Sequence, residues 1–188
     1  MSNTINNPVT GERIKFLEHP GEIDLLAMEF TIAPQGFVAA PHVHDQQEER
    51  FRIEAGTIRL RIGAREVTAH AGESVSVPPG TPHVWWNPSD HGARVVVELR
   101  PALRMESFLR QWFGLACDGK VEAHGMPKNP LQLAVVMREY RREIRPQHVV
   151  QDVLLVPLAV IGRLLGYRGQ NSRYEGPGQD APIIPSRG

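Results

Sequence analysis

Two short runs constrain this chain more than any others. In Glu49–Ile53, Phe51 and Ile53 alternate with Arg50 and Arg52; in Thr57–Ile62, Ile58, Leu60 and Ile62 alternate with Arg59 and Arg61, and Gly56 separates the runs. A period of two puts one set of side chains in a core and the other in water, the pattern of half-buried antiparallel strands. Asp24–Ile32, Glu73–Val77 and Arg94–Arg100 are further strand segments, with turns marked by Gly63, Gly72, Pro78-Pro79-Gly80 and Asn87-Pro88. Short, regularly punctuated strands from about residue 12 to 100 predict a sandwich or barrel.

The pattern changes near Pro101. Met105, Phe108, Leu109 and Trp112 recur at helical spacing up to Gly114, read as a terminator, and a long loop follows to Pro130. Asn129 caps a second helix with Pro130 in its first turn and Gln132 placed to reach back; Leu133, Val136, Met137, Tyr140 and Ile144 form its apolar stripe until Pro146. Arg138, Arg141, Arg142 and Arg145, laced with Glu139 and Glu143, read as a solvated helix face. A third, almost wholly apolar helix spans about 148–166, interrupted by Pro157. It is expected to pack on the strand domain or at a dimer interface. The expected organisation is therefore a strand domain over 1–100, a helical extension over 101–168 and a flexible tail over 169–188.

Formal net charge is zero over 188 residues, so nothing global points to nucleic acid. Residues 1–100 carry 9 Lys and Arg against 13 Asp and Glu, and the remainder 12 against 8, an asymmetry that helps the halves dock. One cysteine, Cys117, excludes an intrachain disulfide and a Cys-rich zinc site, and reads as a small buried apolar group. Ten uncharged residues from Val153 to Gly162 are too short to span a bilayer. With no signal-like N-terminus, the expected location is cytoplasmic.

Four residues carry chemistry. His42 and His44 are two apart in an extended segment, so their rings leave one face; Glu49 shares the inward side of Phe51 and Ile53; His83 follows a rigid Pro-Pro-Gly-Thr-Pro turn. Four polar groups aimed into an apolar interior are costly unless paired, and a metal resolves that cost. Three imidazoles and a carboxylate suit Fe(II), Mn(II), Ni(II), Cu(II) or Zn(II) and leave coordination positions open. Glu48 is the alternative ligand, but that one-residue slip turns Phe51 and Ile53 outward.

In full, the first block reads Gly36-x5-His42-x-His44-x4-Glu49-x6-Gly56 and the second Gly72-x5-Pro78-x-Gly80-x2-His83-x3-Asn87. Both resemble the two motifs of the cupin superfamily at every defined position. The resemblance covers roughly residues 12–100. It implies a mainly β double-stranded β-helix (jelly-roll) barrel, here with a C-terminal α-helical extension, and one metal ion held by His42, His44, Glu49 and His83.

Trp85, two after His83, falls on the metal's side and, with Phe51, is a candidate for the substrate pocket; Trp86 points away. Phe30 reads as core, and His19, His70, His91, His124 and His148 as surface or locally hydrogen-bonded. The expected activity is that of a metal-dependent oxidoreductase, dioxygenase-like, on a small organic molecule, with Glu49 also able to take a substrate proton. A non-enzymatic binding or sensing protein and a metal-assisted isomerase or lyase fit the same ligands. The expected partners are a small molecule and a second copy of the chain in a homodimer, with no nucleic acid and no membrane span. The C-terminal helices are expected to close one end of the barrel.

Overall fold

The computed structural model describes residues 3–19, 21–37 and 40–175. Strands β1 (Thr4–Asn6), β2 (Arg13–Leu17), β3 (Leu26–Ile32), β5 (Glu48–Ala55), β8 (Ser74–Val77) and β10 (Ala93–Arg100) form one antiparallel sheet in the order β1-β2-β3-β10-β5-β8. The facing sheet runs β11-β4-β9-β6-β7, from β4 (His42–Val43), β6 (Thr57–Ile62), β7 (Arg65–His70), β9 (His83–Trp86) and β11 (Arg145–Pro146). This is the expected jelly-roll barrel.

The alternation predicts its sidedness correctly. Phe51, Ile53, Ile58 and Leu60 are at most 1% exposed, whereas Arg50 and Arg52 face solvent. Phe51 sits opposite Val97 and Ile53 opposite Val95, and Leu60 pairs with Trp85 in the other sheet. Each pairing stacks apolar groups on the inner face, the contact that stabilises a sheet. Gly56 joins β5 to β6 at φ 81°, and a Cβ there would approach the Gly92 carbonyl to 2.9 Å. Both the turn and the packing need glycine.

The helical half departs from expectation in several places. Helix α1 (Met105–Cys117) continues through Gly114. That glycine admits a close approach, since a Cβ would lie 2.4 Å from the Tyr174 ring. Cys117 is half-buried, its Sγ 3.6 Å from the Asn6 carbonyl.

Helix α2 (Pro130–Glu139) is capped by Asn129 as expected, its Oδ1 accepting from the amides of Leu131 and Gln132. Gln132 does not reach back; it donates to the Arg168 carbonyl. The helix also ends earlier than its apolar stripe suggested, and Pro146 belongs to β11, an edge strand beside β4. The extension therefore completes a barrel sheet as well as packing on it.

Helix α3 (Val149–Leu164) runs through Pro157 without a break. It packs on α2 through Ala159 and Gly162 and leaves Val150, Leu154 and Leu164 exposed. Residues 169–175, expected in a flexible tail, are packed: Asn171 exchanges hydrogen bonds with Gln111 and Tyr174 is buried. The rest of that expectation, 176–188, lies outside the described residues. Among the described residues no helix is long and apolar enough to cross a membrane.

Candidate metal centre

Strand pairing brings the four predicted residues together. His42 on β4 lies directly opposite His83 on β9, and Glu49 enters from β5 in the other sheet. His44 follows β4 by one residue and keeps the face of His42. All four are buried, at 2–6% exposure, and one ligand atom from each lies within 4.8 Å of the others. Glu48 is exposed. The strand register thus selects Glu49, as Phe51 and Ile53 require.

Hydrogen bonds fix the ring orientations. His42 Nδ1 lies 2.8 Å from the Ala40 carbonyl, His83 Nδ1 3.0 Å from that of Thr81, and His44 Nδ1 2.6 Å from that of Glu143. A carbonyl only accepts, so each Nδ1 must donate and each neutral ring presents a bare lone pair at Nε2. His42 Nε2 and His44 Nε2 stand 3.2 Å apart, and Glu49 Oε2 is 3.6 Å from His44 Nε2 and 2.6 Å from His83 Nε2. Glu49 Oε2 and His83 Nε2 are buried without a properly oriented hydrogen-bond partner.

Converging lone pairs repel unless a cation lies among them. Donors about 2.1 Å from a common ion lie about 3 Å apart when adjacent and about 4.2 Å when opposite. The 3.2 and 3.6 Å separations fall in that range, and the 2.6 Å approach of Glu49 to His83 is shorter. The donor set and its spacing fit a first-row divalent ion, which the cluster could hold.

The electrostatics agree for His42 and Glu49, whereas at His83 they favour the protonated ring, whose Nε2 proton a bound ion would displace. Burial, reinforced by the neighbouring His83 and His44, pushes the His42 imidazole well below its ordinary value and favours the neutral ligand form. Burial alone would raise the Glu49 carboxyl, but the imidazoles of His83 and His44 outweigh it and hold Glu49 ionised. Burial depresses the His83 ring, and its ion pair with Glu49 more than reverses this.

The partner of His44 comes from the helical half, which the sequence reading missed. Glu143, expected on a solvated face, is buried; its carbonyl orients His44 while its carboxylate accepts from the Arg104 backbone and Nε. The arginines around it are engaged as well. Arg141 and Arg145 both pair with Asp45, next to His44, and Arg141 also with Asp152. The expected docking of an acidic front half on a basic back half is concentrated here.

A cavity of about 500 Å³ adjoins the quartet. Its walls come from both halves, including Met28 and Trp85 of the barrel and Phe108, Trp112, Met137 and Leu155 of the helices. Phe30 lines it too, although its pattern read as core; Phe51 does not, and packs edge-on against Trp85 at 5.1 Å. Trp85 lines the cavity and Phe51 belongs to the core. Trp86 stacks on Phe37 instead. His124 and His148, read as surface residues, are exposed and also border the cavity.

One further carboxylate lines this cavity. Glu12 is 5% exposed; its Oε2 accepts from Thr10 Oγ1 at 2.7 Å, and its buried Oε1 has no partner. Burial lifts its carboxyl to about 7, against a smaller lowering by the Thr10 hydrogen bond. The signal was present in the sequence: Glu12, Ile14 and Phe16 alternate with Arg13 and Lys15.

Comparison with known proteins gives one similar protein and two similar solved structures of note. A protein of Hypocrea virens named "Probable oxidoreductase virH" is 27% identical over 146 residues, 71% of this chain and 66% of that protein. A sugar phosphate isomerase of the cupin superfamily from Silicibacter pomeroyi is 20% identical with a TM-score of 0.45, covering 50% of this chain and 61% of that one. An RmlC-like cupin from Shewanella frigidimarina is 19% identical with a TM-score of 0.47, covering 54% and 86%. The chain thus spans under two thirds of both the fungal protein and the isomerase. Residues 28–98 match the cupin domain family. That match runs from β3 to β10, the strands that surround the quartet, and identifies this segment as a cupin domain.

Proposed function

We propose that this chain binds one divalent first-row metal ion through His42, His44, Glu49 and His83 and acts as a metal-dependent, dioxygenase-like oxidoreductase on a small organic molecule. The observation that carries this reading is the set of three Nδ1–H···O=C bonds, which commit three buried imidazoles to present Nε2 toward one carboxylate. Held there, the ion would supply a Lewis-acid and redox centre for substrate and dioxygen. The protein's own residues do the rest. Glu49, the carboxylate of the quartet, is the group that would take a substrate proton, at an oxygen the ion leaves free. Trp85, Phe108 and Trp112 offer a dry, apolar wall that orients the body of the substrate. The similarity to a fungal protein named as an oxidoreductase favours redox chemistry over isomerisation.

Oxygen uptake tests the activity. Protein carrying iron, manganese, nickel or copper should consume oxygen with a member of a diol and diketone panel. Stoichiometric zinc with no uptake across the panel contradicts the oxidoreductase reading. We also read the chain as a homodimer, with the exposed face of α3 around Val150 and Leu154 as its contact. Sedimentation should then show a dimer that Leu154→Glu converts to monomer; a monomeric wild type contradicts it.

A further inference from the structure

We infer that Glu12 is the second polar anchor of the cavity, recognising a hydroxyl or carbonyl oxygen at the end of an elongated, mainly apolar substrate whose other end reaches the quartet. The inference rests on the metal-site reading for the near end and on the following observations for the far one.

The sheet register separates the two carboxylates. Glu12 directly precedes Arg13, which pairs with Thr31 of β3; Glu49 pairs with Leu99 of β10, which pairs with Leu26 of β3. From β2 to β5 the sheet order makes three inter-strand steps, about 14 Å along the curved sheet before any offset along the strands. Yet Glu12, His42, His44 and Glu49 all line one cavity. A ligand in contact with both carboxylates must therefore be long, and the wall between them, including Met28, Phe30 and Trp85, requires its body to be apolar.

The state of Glu12 indicates the group it takes. A buried carboxyl oxygen without a partner is costly, and an ionised one without a cation costs more. Thr10 satisfies Oε2, nothing satisfies Oε1, and no charged side chain contributes to the upward shift of the group. Such a carboxyl is neutral below about pH 7, and in that form it can donate as well as accept. A hydroxyl or carbonyl oxygen complements it. The sequence places this acid in the Asn7–Glu12 turn, whose backbone is tied by Asn7: its amide donates to the Glu12 carbonyl and its Oδ1 accepts from Val9 and Thr10. The anchor is thus held by its own hairpin, independently of the quartet.

Calorimetry with dodecanoate and 12-hydroxydodecanoate as probes tests this on metal-loaded protein, wild type against Glu12→Gln and Glu12→Leu. The wild type should bind the hydroxylated probe about tenfold tighter, the worth of one buried hydrogen bond. Glu12→Leu should bind both alike, and Glu12→Gln, which keeps donor and acceptor, should retain part of the preference. Equal wild-type affinities, binding of neither probe, or a preference that survives Glu12→Leu overturns the inference. Metal content is measured on the same samples. Full occupancy without hydroxyl preference defeats this inference alone, whereas a wild type that takes up no metal defeats the metal reading and this inference with it.

Discussion

Glu49 lies on β5 and Glu12 directly precedes β2 of the same sheet, and both line one cavity. Their surroundings drive them in opposite directions. Glu49 stands among imidazoles that hold it ionised despite burial, while Glu12 meets one hydroxyl and apolar groups, and burial lifts it to about 7. Residue type and depth are shared, so the difference comes from neighbouring charge. One end of the cavity is built for a cation, the other for a neutral hydrogen bond.

The largest effect that could break this contrast is at the quartet. His83→Ala should weaken metal affinity by more than roughly 100-fold, because loss of a direct ligand should exceed the effect of an outer-shell change. Glu12→Gln should leave metal affinity within about twofold. Competition against a chelator measures both, and similar losses in the two variants would erase the distinction.

A smaller effect sharpens the Glu12 side. Its folded value is raised above the unfolded one near 4.5, so the folded state binds more protons over the interval between them. Its contribution is unpenalised below about pH 4.5, and stability is lost as pH rises through about 7, by about 3 kcal/mol in full. Urea unfolding at pH 5 and pH 8 should show this loss in the wild type and little of it in Glu12→Gln. A wild type and variant with identical pH slopes would contradict a buried neutral Glu12.

The smallest effect tests how the quartet is held. Asp45 is clamped by Arg141 and Arg145, which tie the His42–His44 segment to the chain that supplies the Glu143 carbonyl. Asp45→Ala should weaken metal affinity by about tenfold, at the lower end of outer-shell changes, without altering the ligand set. Unchanged affinity would mean that β4 holds the histidines unaided.

How far these features were legible follows from what sets each of them. Ligands and barrel strands are governed by local spacing and a period of two, so His42, His44, Glu49 and the faces of β5 and β6 could be read directly. The helical half is governed by contacts distant in sequence. Gly114 does not end α1 because Tyr174 packs against it, and Pro157 sits within α3, which α2 supports. Glu143 and Phe30 show the same limit: a backbone carbonyl 99 residues from His44 carries no side-chain signal, and a wall residue alternates like a core residue. Glu12 carries the same period-two signal, but in a run of five residues that is shorter than the turn before it.

The most direct test of the central claim is X-ray absorption at the metal edge on metal-loaded protein. The account predicts a first shell of nitrogen and oxygen at about 2.0–2.2 Å with outer scattering from three imidazole rings. A sulfur scatterer from Cys117, or a shell without imidazole, would contradict it.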